Sequence, residues 1–173
     1  MKFTAVLLTV LTAVFLQVVL ARYAVGGTWA FDLVVVGVVF AALQWGPMAG
    51  IVAGTLGGLA QDLLSGQIVG LGGLSKTAVG FFAGAIGTQF LLVKPAGRMG
   101  VAAVASVLHR LAMLGLQALI DQQWPDVSWL SLTAETAINS ACALVLFQMT
   151  AALPGMVERQ RTSRRSSLSR RQW

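Results

Sequence analysis

Six stretches of this chain are predominantly apolar and long enough to matter to a membrane: residues 3–21, 29–44, 47–64, 71–93, 99–120 and 129–153. A hydrocarbon core about 30 Å thick is crossed by roughly 20 apolar residues of helix. Lipid offers the backbone no hydrogen bonds, so a spanning segment is a helix or part of a closed barrel. Barrel strands alternate apolar and polar residues, and these runs do not alternate. The sequence therefore predicts an all-α integral membrane protein with six transmembrane helices in one domain, residues 1–155. Residues 156–173 form a basic cytoplasmic tail expected to be disordered. Composition agrees: 57% of the 173 residues are hydrophobic and 10% charged, against about 45–50% and about 25% in soluble domains. No length remains for a separate soluble catalytic domain.

Local signals divide and orient the runs. Gly46-Pro47 separates the second span from the third, because proline suits a first helical turn and glycine the turn before it. The first run exceeds the 7–15 apolar residues of a signal peptide and no A-x-A site follows it, so an uncleaved helix is expected. With six spans both termini share one side of the membrane. Lys2, Lys94, Arg98 and the six arginines of the tail fall on that side, and Arg22 alone on the other. Cytoplasmic loops hold the excess of Lys and Arg, so both termini are expected in the cytoplasm. Trp29, Trp45, Trp124 and Trp129 fall at span ends, where interfacial tryptophans collect. The net charge of +6 is thus a matter of topology and tail. Such a tail is drawn to anionic lipid headgroups. No nucleic-acid role is expected, since nothing aromatic is interleaved to stack on bases.

Small residues mark where helices meet. Gly46, Gly50, Gly54 and Gly58 recur every four residues, with Asp62 next in the series. Gly72, Lys76, Gly80, Gly84 and Thr88 repeat the device on the fourth span, and Ala5, Thr9 and Ala13 form a weaker version on the first. Four-residue spacing lays each set along one helical stripe, and membrane helices associate through close approach at such stripes. The third and fourth spans are therefore expected to pack on each other. Charged groups in a bilayer face the protein interior and find partners, so Asp62 and Lys76 are expected near one another, as a pair or through backbone carbonyls. A second buried cluster is predicted from Arg110 with Glu135 or Asn139. His109, about 100° away from Arg110 around its helix, is read as a separate hydrogen-bonded core residue. The single cysteine, Cys142, allows no disulfide and no metal site by itself. No nucleophile–base pair, metal-ligand spacing or phosphate loop is present, so no enzyme, cofactor or metal is expected.

One ordered set of residues resembles a known family. Asp32 opens the second span, Gly46-Pro47 makes the turn, Asp62-Leu-Leu-Ser-Gly66 follows, and then Gly70-Leu-Gly-Gly-Leu-Ser-Lys-Thr-Ala-Val-Gly80. This run is similar to the characteristic region of the rod shape-determining protein MreD family. Phe31 stands where a proline often precedes the acid, and Phe81 where tyrosine is common. The resemblance implies a non-enzymatic scaffold subunit of the bacterial cell-wall elongation machinery, in the cytoplasmic (inner) membrane, supporting peptidoglycan synthesis and rod shape. It implies binding to MreC and, through it, to the class B penicillin-binding protein and RodA, with MreB on the cytoplasmic face. It also implies a fold similar to the S component of energy-coupling-factor transporters. That similarity supplies an alternative, a vitamin-binding subunit of a membrane transporter, which the short outer loops disfavour. An independent transporter would show an inverted repeat and midplane binding residues, and neither is evident.

Overall fold

A computed structural model of the chain describes residues 2–21, 31–66, 68–89, 95–123 and 128–169. Among these, all regular structure is helical: α1 (Lys2–Ala21), α2 (Leu33–Trp45), α3 (Pro47–Ser65), α4 (Leu71–Gln89), α5 (Pro95–Asp121) and α6 (Trp129–Ser169). Three helices are long and apolar enough to cross a bilayer, at Phe3–Leu20, Ala96–Asp121 and Trp129–Thr150. This is a multi-pass helical membrane protein. The apolar α2 has only 13 residues, and glycine dilutes the hydropathy of α3 and α4. The C-terminal segment departs from expectation, because α6 runs on to Ser169 instead of ending at 153. Arg, Gln and Glu are good helix formers, and extending an existing helix avoids the nucleation cost of starting one. Residues 170–173, together with Arg22, Trp29, Lys94, Trp124 and Asp126, lie outside the described residues.

The shortest helix occupies the centre. Every residue of α2 from Val34 to Ala42 is buried, and α2 touches all five other helices. One face, with Val35, Val36, Val39, Phe40 and Ala42, packs on Val79 and Ala83 of α4, Ala102 and Ala105 of α5, and Ala143 and Phe147 of α6. The Phe40 and Phe147 rings meet at 5.3 Å between centroids. The other face, with Val34, Val38 and Ala41, packs on Val6, Val10 and Val14 of α1 and Ala53 of α3. The α1 stripe contributes here, since a methyl added at Gly37 would lie 2.9 Å from the Ala13 Cβ. A helix apolar on all sides has no polar stripe to turn outward, and the surrounding helices bury it from Val34 to Ala42.

The α3–α4 hairpin is the closest helix contact. A Cβ built at Gly50 would fall on the Gly80 carbonyl, one at Gly54 on the Lys76 carbonyl, and one at Gly58 within 2.6 Å of the Gly72 carbonyl oxygen. In return, Gly84 faces Pro47 with 2.6 Å left for a methyl. The Thr55 and Thr77 hydroxyls pair across this seam at 2.8 Å. Two members of the stripes do other work. Gly46 has open space around it and a φ of +93°, so it serves as the turn between α2 and α3 and not as a packing residue. Gly72 meets Gly58 through its carbonyl, while the side of its Cα where a Cβ would stand faces the Asp62 carboxylate.

Glycines elsewhere provide the control. Gly115 lies inside α5 with nothing within 4 Å of a built Cβ. Alanine there gains about 0.5–1 kcal/mol of helix preference, so Gly115→Ala should raise the unfolding temperature in detergent. Gly54→Ala forces two backbones apart and should lower it, with overpacking costing about 1–3 kcal/mol or more. Equal shifts of one sign for both variants would refute the close-approach argument.

Candidate functional site

A helix leaves its first four N–H groups without intrahelical partners. At 13 residues α2 is only about 20 Å long, so its N-terminus lies within the bundle, where water cannot be assumed to serve those groups. Each donor there finds a protein acceptor. The Asp32 N–H donates to Asn139 Oδ1 at 2.9 Å, and the Leu33 N–H to Gln17 Oε1 at 2.8 Å. The Val34 and Val35 N–H groups both donate to Asp32 Oδ1, at 3.0 and 3.1 Å. Asp32 is thus the N-cap, with an extended backbone and its side chain folded over the first turn.

The second carboxylate oxygen of Asp32 holds the charge. Lys76 Nζ donates to Asp32 Oδ2 at 2.9 Å, and His109 Nε2 lies 3.3 Å from the same oxygen. Gln61 Nε2 reaches it at 3.4 Å. One residue from each of the other five helices therefore converges on the α2 N-terminus: Gln17, Gln61, Lys76, His109 and Asn139. Outer contacts continue the network. Asn139, fully buried, donates through Nδ2 to Ser106 Oγ at 3.2 Å, and Ser106 donates to the Ala102 carbonyl. Gln17 Nε2 donates to the Phe31 carbonyl at 3.2 Å.

The imidazole of His109 has partners at both ring nitrogens. Its Nδ1 lies 2.6 Å from the Ser75 hydroxyl, which also reaches the His109 carbonyl at 3.3 Å. Its Nε2 lies 3.3 Å from both Lys76 Nζ and Asp32 Oδ2, so the tautomer decides whether it accepts from the ammonium or donates to the carboxylate. In either form Lys76, buried to 2% exposure, has the Asp32 carboxylate as its ion partner, which an ammonium in the interior requires.

Two expected groupings are corrected. Asp62 does not pair with Lys76. Its Oδ2 accepts the N–H groups of Gly70, Gly72 and Gly73 at 2.9, 3.0 and 3.2 Å. These amides open α4, where orphan donors and the helix dipole favour a carboxylate, and the short loop brings them within easy reach. Gly70 supports the loop with a φ of +105°. Lys76, a turn further in, is left to meet Asp32. Arg110 is exposed rather than buried, whereas His109 is inside. The rotation between the two residues was legible, but not which of them faced inward. Ala102, Ala105, Ser106 and His109, all buried, form the small-residue face of α5, and their spacing was the available signal. Glu135 and Asn139 are buried, and Asn139 serves α2 and Ser106 instead of Arg110. Gln17, Gln61, Ser75 and Ser106 were not anticipated at all.

This polar clasp of Gln17, Gln61, Lys76, His109 and Asn139 around Asp32 borders an open cavity of about 710 Å³. Its walls include Gln17, Asp32, Gln61, Lys76, His109, Arg110 and Glu135, with Val14, Val18, Met113 and Leu130 supplying apolar surface. No group of three or more His, Cys, Asp or Glu that could hold a metal ion occurs among the described residues. No family model, curated protein or solved structure matches the chain.

Removing one partner of a buried ion pair costs about 3–5 kcal/mol, because the other charge is stranded. Asp32→Asn should therefore lower unfolding temperature and membrane abundance sharply, and Lys76→Met in the same chain should recover part of the loss. Asp62→Asn combined with Lys76→Met should show no such recovery. Measurement of all four variants in detergent decides the pairing, and rescue of Asp62→Asn instead of Asp32→Asn would return Lys76 to Asp62.

Proposed function

We propose that this chain is a non-enzymatic scaffold subunit of the bacterial cell-wall elongation machinery, of the MreD type, which binds MreC and through it the class B penicillin-binding protein and RodA. The observation that carries the reading is where the MreD-like residues lie. Asp32, Gly46-Pro47, Asp62, Gly70 and the glycines up to Gly80 are the cap, turn, loop and packing residues of one clasped unit, α2 to α4. Each of their polar side chains is committed to holding helices together. A scaffold needs such a rigid surface and little else.

In this reading all six helices span the inner membrane. At 19 residues each, α3 and α4 are about 28 Å long, close to the thickness of the hydrocarbon core. Their glycines lower hydropathy while serving packing, and the short α2 is shielded from lipid by its neighbours. Both termini then face the cytoplasm, where the basic end of α6 meets anionic lipid. Thiol labelling of intact cells with an impermeant reagent, after Cys142→Ser, checks this orientation. Asp126→Cys should label and Arg165→Cys should not, and the opposite pattern defeats the topology.

The assembly is tested by isolating the tagged protein in mild detergent and identifying what accompanies it. Recovery of MreC, with the transpeptidase at lower yield, is the expected result. The polar cavity favours a second reading, a vitamin-binding subunit that docks on a transport module. Recovery of transport ATPase subunits without MreC would put that reading first.

A further inference from the structure

Most polar groups in the wall of the cavity are already met. Lys76 neutralises Asp32, three amides serve Asp62, and Gln17 bonds to the backbone on either side of Asp32. Glu135 is the exception. It is 7% exposed, yet among the described residues its carboxylate forms neither a hydrogen bond nor an ion pair within 4 Å. Its oxygens are not sealed in protein, because the one sealed and unpartnered side-chain atom among the described residues is Gln61 Oε1. They face the cavity that Glu135 lines. Gln61 lines it too, and its amide cannot be turned round, since Nε2 donates to Asp32 Oδ2 and a carboxylate only accepts. Buried acceptors are rarely left unmet, and an ionised group in a membrane protein calls for a partner. Both unmet groups are acceptors, so what they lack is a donor. Arg110 does not supply it: the residue is exposed, and its guanidinium forms no ion pair within 4 Å among the described residues.

The placement of the two acceptors narrows the ligand. A metal ion draws its ligands around one point, at about 2–2.6 Å, and no group of three or more His, Cys, Asp or Glu among the described residues could hold one. Gln61 belongs to α3 and Glu135 to α6, and among the described residues no Cα of one helix lies within 8 Å of the other. The acceptors therefore stand on separate walls, which an elongated molecule with a donor at each end can join. Val14, Val18, Met113 and Ala134 make part of the lining apolar, and that surface suits an aliphatic spacer. The cavity is lined from the C-terminal halves of α1, α3 and α5 and the N-terminal ends of α2, α4 and α6. Leu64, Ser65, Leu130 and Ser131, close to those helix ends, are exposed, so the mouth lies at an end of the bundle, where a water-soluble molecule can enter.

We propose that this cavity binds a small aliphatic diamine or amino alcohol, with a primary ammonium on Glu135 and the donor at the other end of the molecule on Gln61 Oε1. The ammonium brings the positive charge that Glu135 lacks, and Lys76 stays with Asp32. The site is independent of the scaffold reading and stands if MreC does not bind.

The test is isothermal titration calorimetry of the purified full-length protein in nonionic detergent, with putrescine, aminobutanol, butylamine and butanediol as ligands. A second charge-assisted hydrogen bond should make putrescine bind roughly tenfold or more tighter than butylamine, with aminobutanol between the two. Butanediol, which has no charge, and sodium chloride at matched ionic strength should give no binding heat. Glu135→Gln should weaken putrescine binding by roughly tenfold or more, while Thr133→Ala, on the exposed side of α6, keeps it. Failure of the unaltered protein to bind putrescine overturns the proposal whether or not the variants fold, and so does equal binding of putrescine and butanediol. An unchanged putrescine affinity in Glu135→Gln overturns it as well.

Discussion

The carboxylate of Asp32 is the point on which the other helices depend. One oxygen terminates the backbone ladder of α2, and the other neutralises Lys76. The orphan amides of α2 are met by Asp32 itself, by Gln17 of α1 and by Asn139 of α6, while Gln61 of α3, Lys76 of α4 and His109 of α5 gather on the second carboxylate oxygen. An unmet amide or ammonium in this setting costs several kcal/mol. The requirement therefore acts as a registry device, admitting only helix placements that bring all five partners to one end.

Packing follows a different physics from that of a soluble core. Lipid tails are as apolar as valine, so burying α2 gains little from the hydrophobic effect, and association rests on close contact. Glycine makes that contact possible along α3 and α4, where backbone meets backbone at Gly50–Gly80, Gly54–Lys76 and Gly58–Gly72. The same approach positions Lys76. With its carbonyl held against Gly54, its side chain is directed to Asp32, and the hairpin and the clasp form one unit. That unit is the rigid part a scaffold would offer its partners, while the cavity beside it keeps polar groups in reserve.

The helical architecture and the close-packing stripes were legible in the sequence, because both depend on local period: apolar runs of spanning length, and glycine at every fourth position. Asp62, Lys76, Glu135 and Asn139 could be singled out for the same reason, since polar groups inside apolar runs are costly wherever they fall. The turn at Gly46-Pro47 and the loop ending at Gly70 were written in residues whose backbone preferences are strong.

Who pairs with whom was decided by tertiary structure alone. Asp62 and Lys76 lie on facing stripes at nearby depths, and nothing in their spacing reveals that three amides of the α4 N-terminus satisfy the carboxylate first. Arg110 and His109 are neighbours in sequence, and the choice of which turns inward depends on where α5 sits against α2. Gln17, Gln61 and Ser75 are ordinary polar residues until the α2 N-terminus arrives beside them. Periodicity is a property of one helix and can be read from its residues, whereas a hydrogen bond between helices depends on their relative rotation and depth, which the whole bundle sets at once.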